Sequence, residues 1–211
     1  MKKKFFILLA VLFLLTFIPV ASLYATATSI SYIGASWNHD PVTVYISLQK
    51  GVDPSYLGEV NTALNDWKIR LGSNFNFQIS DSPQSKRIPG DISIQIKKNT
   101  GAVLGSTQLS SSGESLSYAK IVLASQNAMG KALDKADFRN ILRHELGHAL
   151  GLGHANDNGS DNKDLMYPYY DYIEVGYDVF PSVLDISALI NLYGNDGFVG
   201  TNLSPIPQMY P

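Results

Sequence analysis

Residues 144–154 read His-Glu-Leu-Gly-His-Ala-Leu-Gly-Leu-Gly-His, and this run constrains the chain more than any other segment. His144 and His148 are four residues apart, so an α-helix places them one turn apart on one face. Two imidazoles so placed can hold one metal ion at about 2.0–2.1 Å each. Glu145 follows His144, offset around the helix, where it reaches a water on the ion without ligating it. A third ligand needs the chain to turn back, because a continuing helix carries its side chains away. Gly151 stands where that turn must fall, and glycine tolerates the positive φ it often needs. His154 can then return to the ion. Three neutral imidazoles leave one position open for water, the mark of a catalytic site. Three of the chain's four histidines lie in this run, which argues against isolated structural roles for them.

The chemistry expected of these residues is zinc-dependent hydrolysis. Zinc lowers the pKa of a bound water and polarises a carbonyl. Glu145 acts as general base and then returns the proton to the leaving amine. The fold must therefore supply a helix ending near Gly151 and a turn that brings His154 back.

Hydrophobic patterning supplies the rest of the framework. Val42, Val44, Ile46 and Leu48 alternate with polar residues, as in a half-buried strand. Asp53 is a candidate N-cap and Pro54 a first helical residue. Leu57, Val60, Leu64, Trp67 and Leu71 then form a helical stripe ending at Gly72. Strands are predicted over Phe75–Ile79, Ile92–Ile96 and Ile121–Leu123, with a short edge strand around Val103–Leu109. The active-site helix should begin near Asp134 to Asp137. A last helix should begin at Ser182, with Asp185 in a shortened capping box, and end at Gly194. The order is α/β, with helices packed on a sheet.

The 144–154 run is the H-E-x-x-H-x-x-G-x-x-H signature of the metzincins, which the chain resembles. Met166 resembles the methionine of their Met-turn, an apolar floor beneath the metal. Within that group the chain looks most like the matrixins, through Leu165-Met166-Tyr167-Pro168 and through Pro181 to Gly194. The resemblance implies an α+β, zincin-like domain: a twisted mixed sheet, a backing helix, the active-site helix, the Met-turn and a C-terminal helix. It implies a protein or peptide substrate bound extended along an edge strand. It suggests Tyr170 as a wall of the pocket for the residue after the scissile bond. It also suggests that Asp185 hydrogen-bonds under the Met-turn, a helix-start carboxylate being the alternative.

Three departures matter. Matrixins usually carry Ser or Thr after the third histidine, where this chain has Ala155. The chain has no cysteine, so the cysteine latency of vertebrate matrixins is not expected. His39 is the one histidine outside the run and cannot build a second, structural zinc site alone. One zinc per chain is expected. Asp157, Asp161 and Asp164 lie in a polar loop, for which calcium is the alternative to plain solvation. Asn158 and Asn202 begin glycosylation sequons.

The N-terminus carries a different signal. Lys2–Lys4 precede an apolar run from Phe5 to Val20, and Ala25-Thr26-Ala27 offers a small-residue exit. Residues 1–27 read as a signal peptide, cleaved near Ala27, because the run is short for a spanning helix. A membrane association is expected only if this segment is retained. Residues 28–211 then form one secreted, monomeric domain with an irregular tail over 195–211. The full chain has a net charge of −2 and no basic run beyond Lys2–Lys4, so no nucleic-acid partner is expected. A secreted zinc-binding interaction protein with little turnover is the alternative function. Glu145 argues against it, because a purely structural zinc does not need that carboxylate.

Overall fold

In the computed structural model, residues 29–72, 75–80, 91–156, 164–168 and 176–194 are described. They form seven strands and three helices in the order β1 (Ile30–Tyr32), β2 (Val42–Leu48), α1 (Tyr56–Leu71), β3 (Phe77–Ile79), β4 (Ile92–Lys97), β5 (Gly105–Ser112), β6 (Ser115–Ala124), α2 (Lys135–Ala149), β7 (Leu152–Ala155) and α3 (Val183–Tyr193).

Five strands build one mixed sheet in the order β3-β2-β4-β6-β5. The first four run parallel, and β5 closes the edge antiparallel to β6. The registers put like with like. Ile46 stands beside Ile94, and Ile94 beside Ile121; Leu48 stands beside Ile96, and Ile96 beside Leu123. Branched side chains thus line up across three strands, where they pack well on a pleated surface. Ile92, Ile94, Ile96, Ile121 and Leu123 are all fully buried. Truncating one of them to alanine would cost about 2–5 kcal/mol.

Helix α1 adds Val60, Ala63, Leu64 and Trp67 to that core, and α2 adds Phe138, Ile141, Leu142 and Leu146. The two helices are also joined by charge. Arg143, 1% exposed, pairs with Asp66 of α1 at 2.6 Å and with Asp178 at 2.8 Å. Arg139 joins Asp178 at 2.7 Å. Arg143 also donates to Asn140 and to the Val179 carbonyl, so its buried guanidinium has the several partners that burial demands. This network holds the chain before α3 against the active-site helix.

The sequence reading and the fold differ in several places, among them β6, which begins at Ser115, six residues before the predicted Ile121. Asp53 does not cap the helix directly. Its carboxylate accepts from the Ser55 N–H at 2.9 Å, and a tight turn at Pro54 and Ser55 carries the chain into α1, which begins at Tyr56. Strand β3 begins at Phe77, two residues late, while Phe75 goes into the core. The edge strand is longer than predicted, reaching Ser112, because β5 and β6 form a hairpin around Gly113 and Glu114. The exposed half of that hairpin is mostly serine, so it gives no alternating apolar signal. A further difference is a two-stranded sheet that was not foreseen: β1 pairs antiparallel with β7. Among the described residues no helix is long and apolar enough to cross a membrane.

Candidate metal centre

Helix α2 carries the first two imidazoles. Asp134 caps it, its carboxylate accepting from the Ala136 N–H at 2.8 Å. Its C-terminal end needs partners for carbonyls that no later turn can satisfy, and three aromatic side chains provide or reinforce them. The Trp37 indole donates to the Ala149 carbonyl at 2.9 Å and the Tyr193 hydroxyl to that of Leu150 at 2.7 Å. Nearly two turns earlier, the Trp67 indole donates to the Arg143 carbonyl at 3.0 Å. The helix then stops at Gly151, whose φ is +102°. A side chain there would meet the Ala35 carbonyl and Leu192, each at 2.7 Å. Conformation and space both select glycine, as the sequence suggested.

Past that turn, β7 brings His154 back. The ligand atoms of His144, His148 and His154 lie within 4.8 Å of one another. Backbone carbonyls fix two of the rings. His144 Nδ1 lies 2.7 Å from the Leu165 carbonyl oxygen, and His148 Nδ1 lies 2.9 Å from that of Leu152. A carbonyl can only accept, so each Nδ1 donates and each Nε2 keeps its lone pair for an ion. Burial favours the neutral form of all three rings. It pushes His144 down to about 3, with His148 adding to the effect, and it lowers His148 and His154 as well. Neutral imidazoles that present a ring-nitrogen lone pair are the donor set that zinc takes. The residues fit the metal.

Glu145 is 7% exposed. Burial pushes its carboxyl up to about 7, while the Thr107 hydroxyl, 2.6 Å from Oε2, works the other way. A carboxyl near 7 suits proton transfer at neutral pH.

The turn at Leu165 and Met166 touches both arms of the site. Besides the bond to His144, the Met166 carbonyl accepts from the Ala155 N–H at 2.8 Å. Met166 itself is fully buried, as an apolar floor should be. Asp185 takes the helix-start role of its two predicted ones. Its Oδ2 accepts from the Ser182 N–H at 2.7 Å, completing the capping box of α3, and its Oδ1 has no hydrogen-bond partner among the described residues. His39 is remote from the triad in its bonding: it faces Asp91 at 3.0 Å and Asn38 at 3.2 Å. Among the described residues, the three histidines form the one cluster of three or more groups able to hold a metal. Tyr170, Asp157, Asp161, Asn158, Asn202, the 1–27 segment and the 195–211 tail lie outside the described residues. Sequence reasoning missed Thr107, since a threonine in a serine-rich edge strand carries no motif. It missed β1 as well, for which three residues give too short a period.

Known proteins share parts of this chain. Stromelysin-2 of Rattus norvegicus is 35% identical over 71 residues, which are 34% of this chain and 14% of that protein. Matrix metalloproteinase-16 of Homo sapiens is 33% identical over 76 residues, 36% of this chain and 12% of that protein. The similarity to these relatives thus spans a small part of their length. High choriolytic enzyme 1, a hatching enzyme zinc-protease from Oryzias latipes, overlays with a TM-score of 0.43 at 14% identity, covering 79% of this chain and 98% of that one. The sequence model of the matrixin family matches residues 36–194. That span takes in the five-stranded sheet, all three helices and the three histidines, and the chain belongs to the matrixin family of peptidases.

Proposed function

We propose that this chain is a secreted zinc endopeptidase, with one zinc held by His144, His148 and His154 and with Glu145 as general base. The observation that carries the reading is the convergence of three neutral imidazoles, two from α2 and one from β7, beside the buried Glu145 carboxyl. When bound there, zinc acidifies a water and polarises the scissile carbonyl. Glu145 accepts the proton of the attacking water and passes it to the departing amine nitrogen. Its burial favours that role, because the carboxylate gains more from a proton in a dry setting than in water.

The substrate is a protein or peptide in extended form. Strand β5 supports this part of the reading: it is an edge of the sheet, and it lies beside Glu145. An edge strand offers unpaired N–H and C=O groups to an incoming chain, so β-augmentation would draw the scissile bond along the site. Secretion rests on the basic start, apolar middle and small-residue exit of residues 1–27; sequencing the N-terminus of the exported protein tests it.

The activity is tested by cleavage of an unfolded protein by the purified zinc-loaded chain beside its Glu145→Ala variant. Loss of the base should slow cleavage by at least about 10²-fold while zinc content stays the same. Equal cleavage by both would discard the mechanism. Zinc-loaded protein that cleaves nothing would instead favour a zinc-dependent binding protein.

A further inference from the structure

Two residues of the edge strand close around the Glu145 carboxylate. The Thr107 hydroxyl lies 2.6 Å from Glu145 Oε2 and 3.1 Å from the Glu145 backbone carbonyl oxygen. Two residues earlier, Gly105 presents bare backbone. A Cβ there would sit 2.7 Å from Glu145 Oε1 and 2.6 Å from Ile141 Cγ2. Residues 105 and 107 share a face of β5, since strand side chains alternate. That face is turned toward α2, and the partly buried positions of β5 follow the same alternation.

We propose that Thr107 is a positioning residue for the general base, and that Gly105 provides the space in which the carboxylate sits. The inference rests on the peptidase reading for its kinetic consequences, but the contact itself does not. The physical case is one of acceptor and donor. A buried carboxylate left without donors rotates among its rotamers and loses much of its value as an oriented base. The Thr107 hydroxyl supplies one charge-assisted hydrogen bond to Oε2. With Oε2 so engaged, Oε1 is the oxygen that takes and returns the proton. The backbone of β5 is fixed by its pairing with β6, where Thr107 stands opposite Ile121 and Gly105 opposite Leu123. The hydroxyl is therefore held by the sheet and not by a mobile loop.

A consequence follows for substrate binding. Strand β5 both docks the extended chain and orients the base. Pairing of a peptide with β5 steadies the strand that carries Thr107, so a well-seated substrate and a well-aimed base arise together.

The test compares Thr107→Val, which keeps the shape and deletes the hydroxyl, with Thr107→Ser, which keeps the hydroxyl. Both are made in the full zinc-loaded chain and assayed on one unfolded protein substrate. Outer groups that orient a reacting side chain typically matter by about 10–100-fold. Thr107→Val should lower kcat by about 10-fold or more with KM and zinc content within about 2-fold of wild type. Thr107→Ser should recover most of the lost kcat. A general packing defect would not be rescued in that way. A kcat unchanged in Thr107→Val, or equally low in Thr107→Ser, overturns the proposal.

A second measurement separates its failure from failure of the peptidase reading. Thermal unfolding is recorded for wild type, Thr107→Val, Glu145→Ala and the double variant. If Thr107 holds the Glu145 carboxylate, the shift caused by Thr107→Val should largely vanish in the Glu145→Ala background. Shifts that add independently overturn the contact, whether or not the protein cleaves anything. Coupled shifts in a protein without peptidase activity would uphold the contact and reject only the reaction.

Discussion

Met166 packs directly against Gly147 across the floor of the histidine site. A Cβ built on Gly147 would overlap the Met166 sulfur and lie 3.5 Å from Trp67. Both neighbours are fully buried. Two effects compete in Gly147→Ala. Replacing a mid-helix glycine should gain up to about 1 kcal/mol from helix propensity. Overpacking a closed core costs about 1–3 kcal/mol. The overlap is deep and falls on a fully buried side chain, so the loss should win, lowering the melting temperature by several degrees. Met166→Ala in the same chain removes the obstacle, and the double variant should lose less than the sum of the two single ones. Strictly additive losses in a calorimetric double-mutant cycle would show that the two residues do not meet.

Asp185 gives the fold a dependence on pH. Burial raises its carboxyl from 3.8 to about 6, with Asp164 adding in the same direction and the Ser182 bonds opposing. Between those values the folded protein holds a proton that the unfolded chain has released. Its contribution to stability is therefore fully present below about pH 4 and is lost as pH rises through about 6. Across pH 5 to 7.5 the change should be about 1 kcal/mol. Asp185→Asn keeps an oxygen to accept from the Ser182 N–H and removes the titration. In urea titrations at saturating zinc, wild type should lose about that much more than the variant over this interval. Parallel pH curves for the two proteins would refute the assignment.

Metal content supplies a count. The predicted stoichiometry is one tightly bound zinc per chain, because His39 is engaged with Asp91 and Asn38 and, among the described residues, belongs to no group of three possible ligands. A chelator should abolish cleavage and lower the melting temperature, and added zinc should restore both. At a free zinc level about 1,000 times its Kd, the metal adds about 4 kcal/mol to stability. Elemental analysis returning two tightly held zincs after dialysis would contradict this.

The site was more legible than the framework around it. Four-residue spacing fixes two imidazoles on one helical face whatever the rest of the chain does, and Gly151 marks the turn by conformational necessity. The core strands β2 and β4 were legible for a similar reason: Val42, Val44, Ile92, Ile94 and Ile96 alternate over a buried face. Strand β5 was legible only in part, around Val103–Leu109, because its period is written largely in serine, glycine and threonine, whose hydropathy differs little from face to face. Thr107 became a site residue only once pairing with β6 had placed it over Glu145. Strand β1 depended on a partner strand far away in the chain, Ile30 pairing with Ala155 and Tyr32 with Leu152, and no local pattern records such a pairing. The role of Asp185 was open between a cap and a Met-turn contact; Ser182, three residues before it, decided for the cap.

That distant pairing leads to the last expectation. Strand β1 lies against the strand that returns His154 to the site: Ile30 pairs with Ala155, Tyr32 with Leu152, and the Ser31 hydroxyl donates to the His154 carbonyl at 3.0 Å. The fit depends on Gly153, where an added Cβ would overlap Ser31 Oγ and stand 3.1 Å from both Ser31 Cβ and the Ser31 carbonyl oxygen. Gly153→Ala must therefore push the strands apart, and the far side of β7 is already tied to Met166 through Ala155. His154 is the least buried of the three ligands and has the fewest other restraints, so it should move. Outer contacts of metal ligands commonly matter by about 10–100-fold in affinity, and zinc competition should find Gly153→Ala weaker by about 10-fold or more. Ser31→Ala alone removes one exposed hydrogen bond and should change little. Added to Gly153→Ala, it clears the worst overlap and should return part of the affinity. Zinc binding by Gly153→Ala as tight as wild type would mean that β1 lies beside the third ligand without holding it.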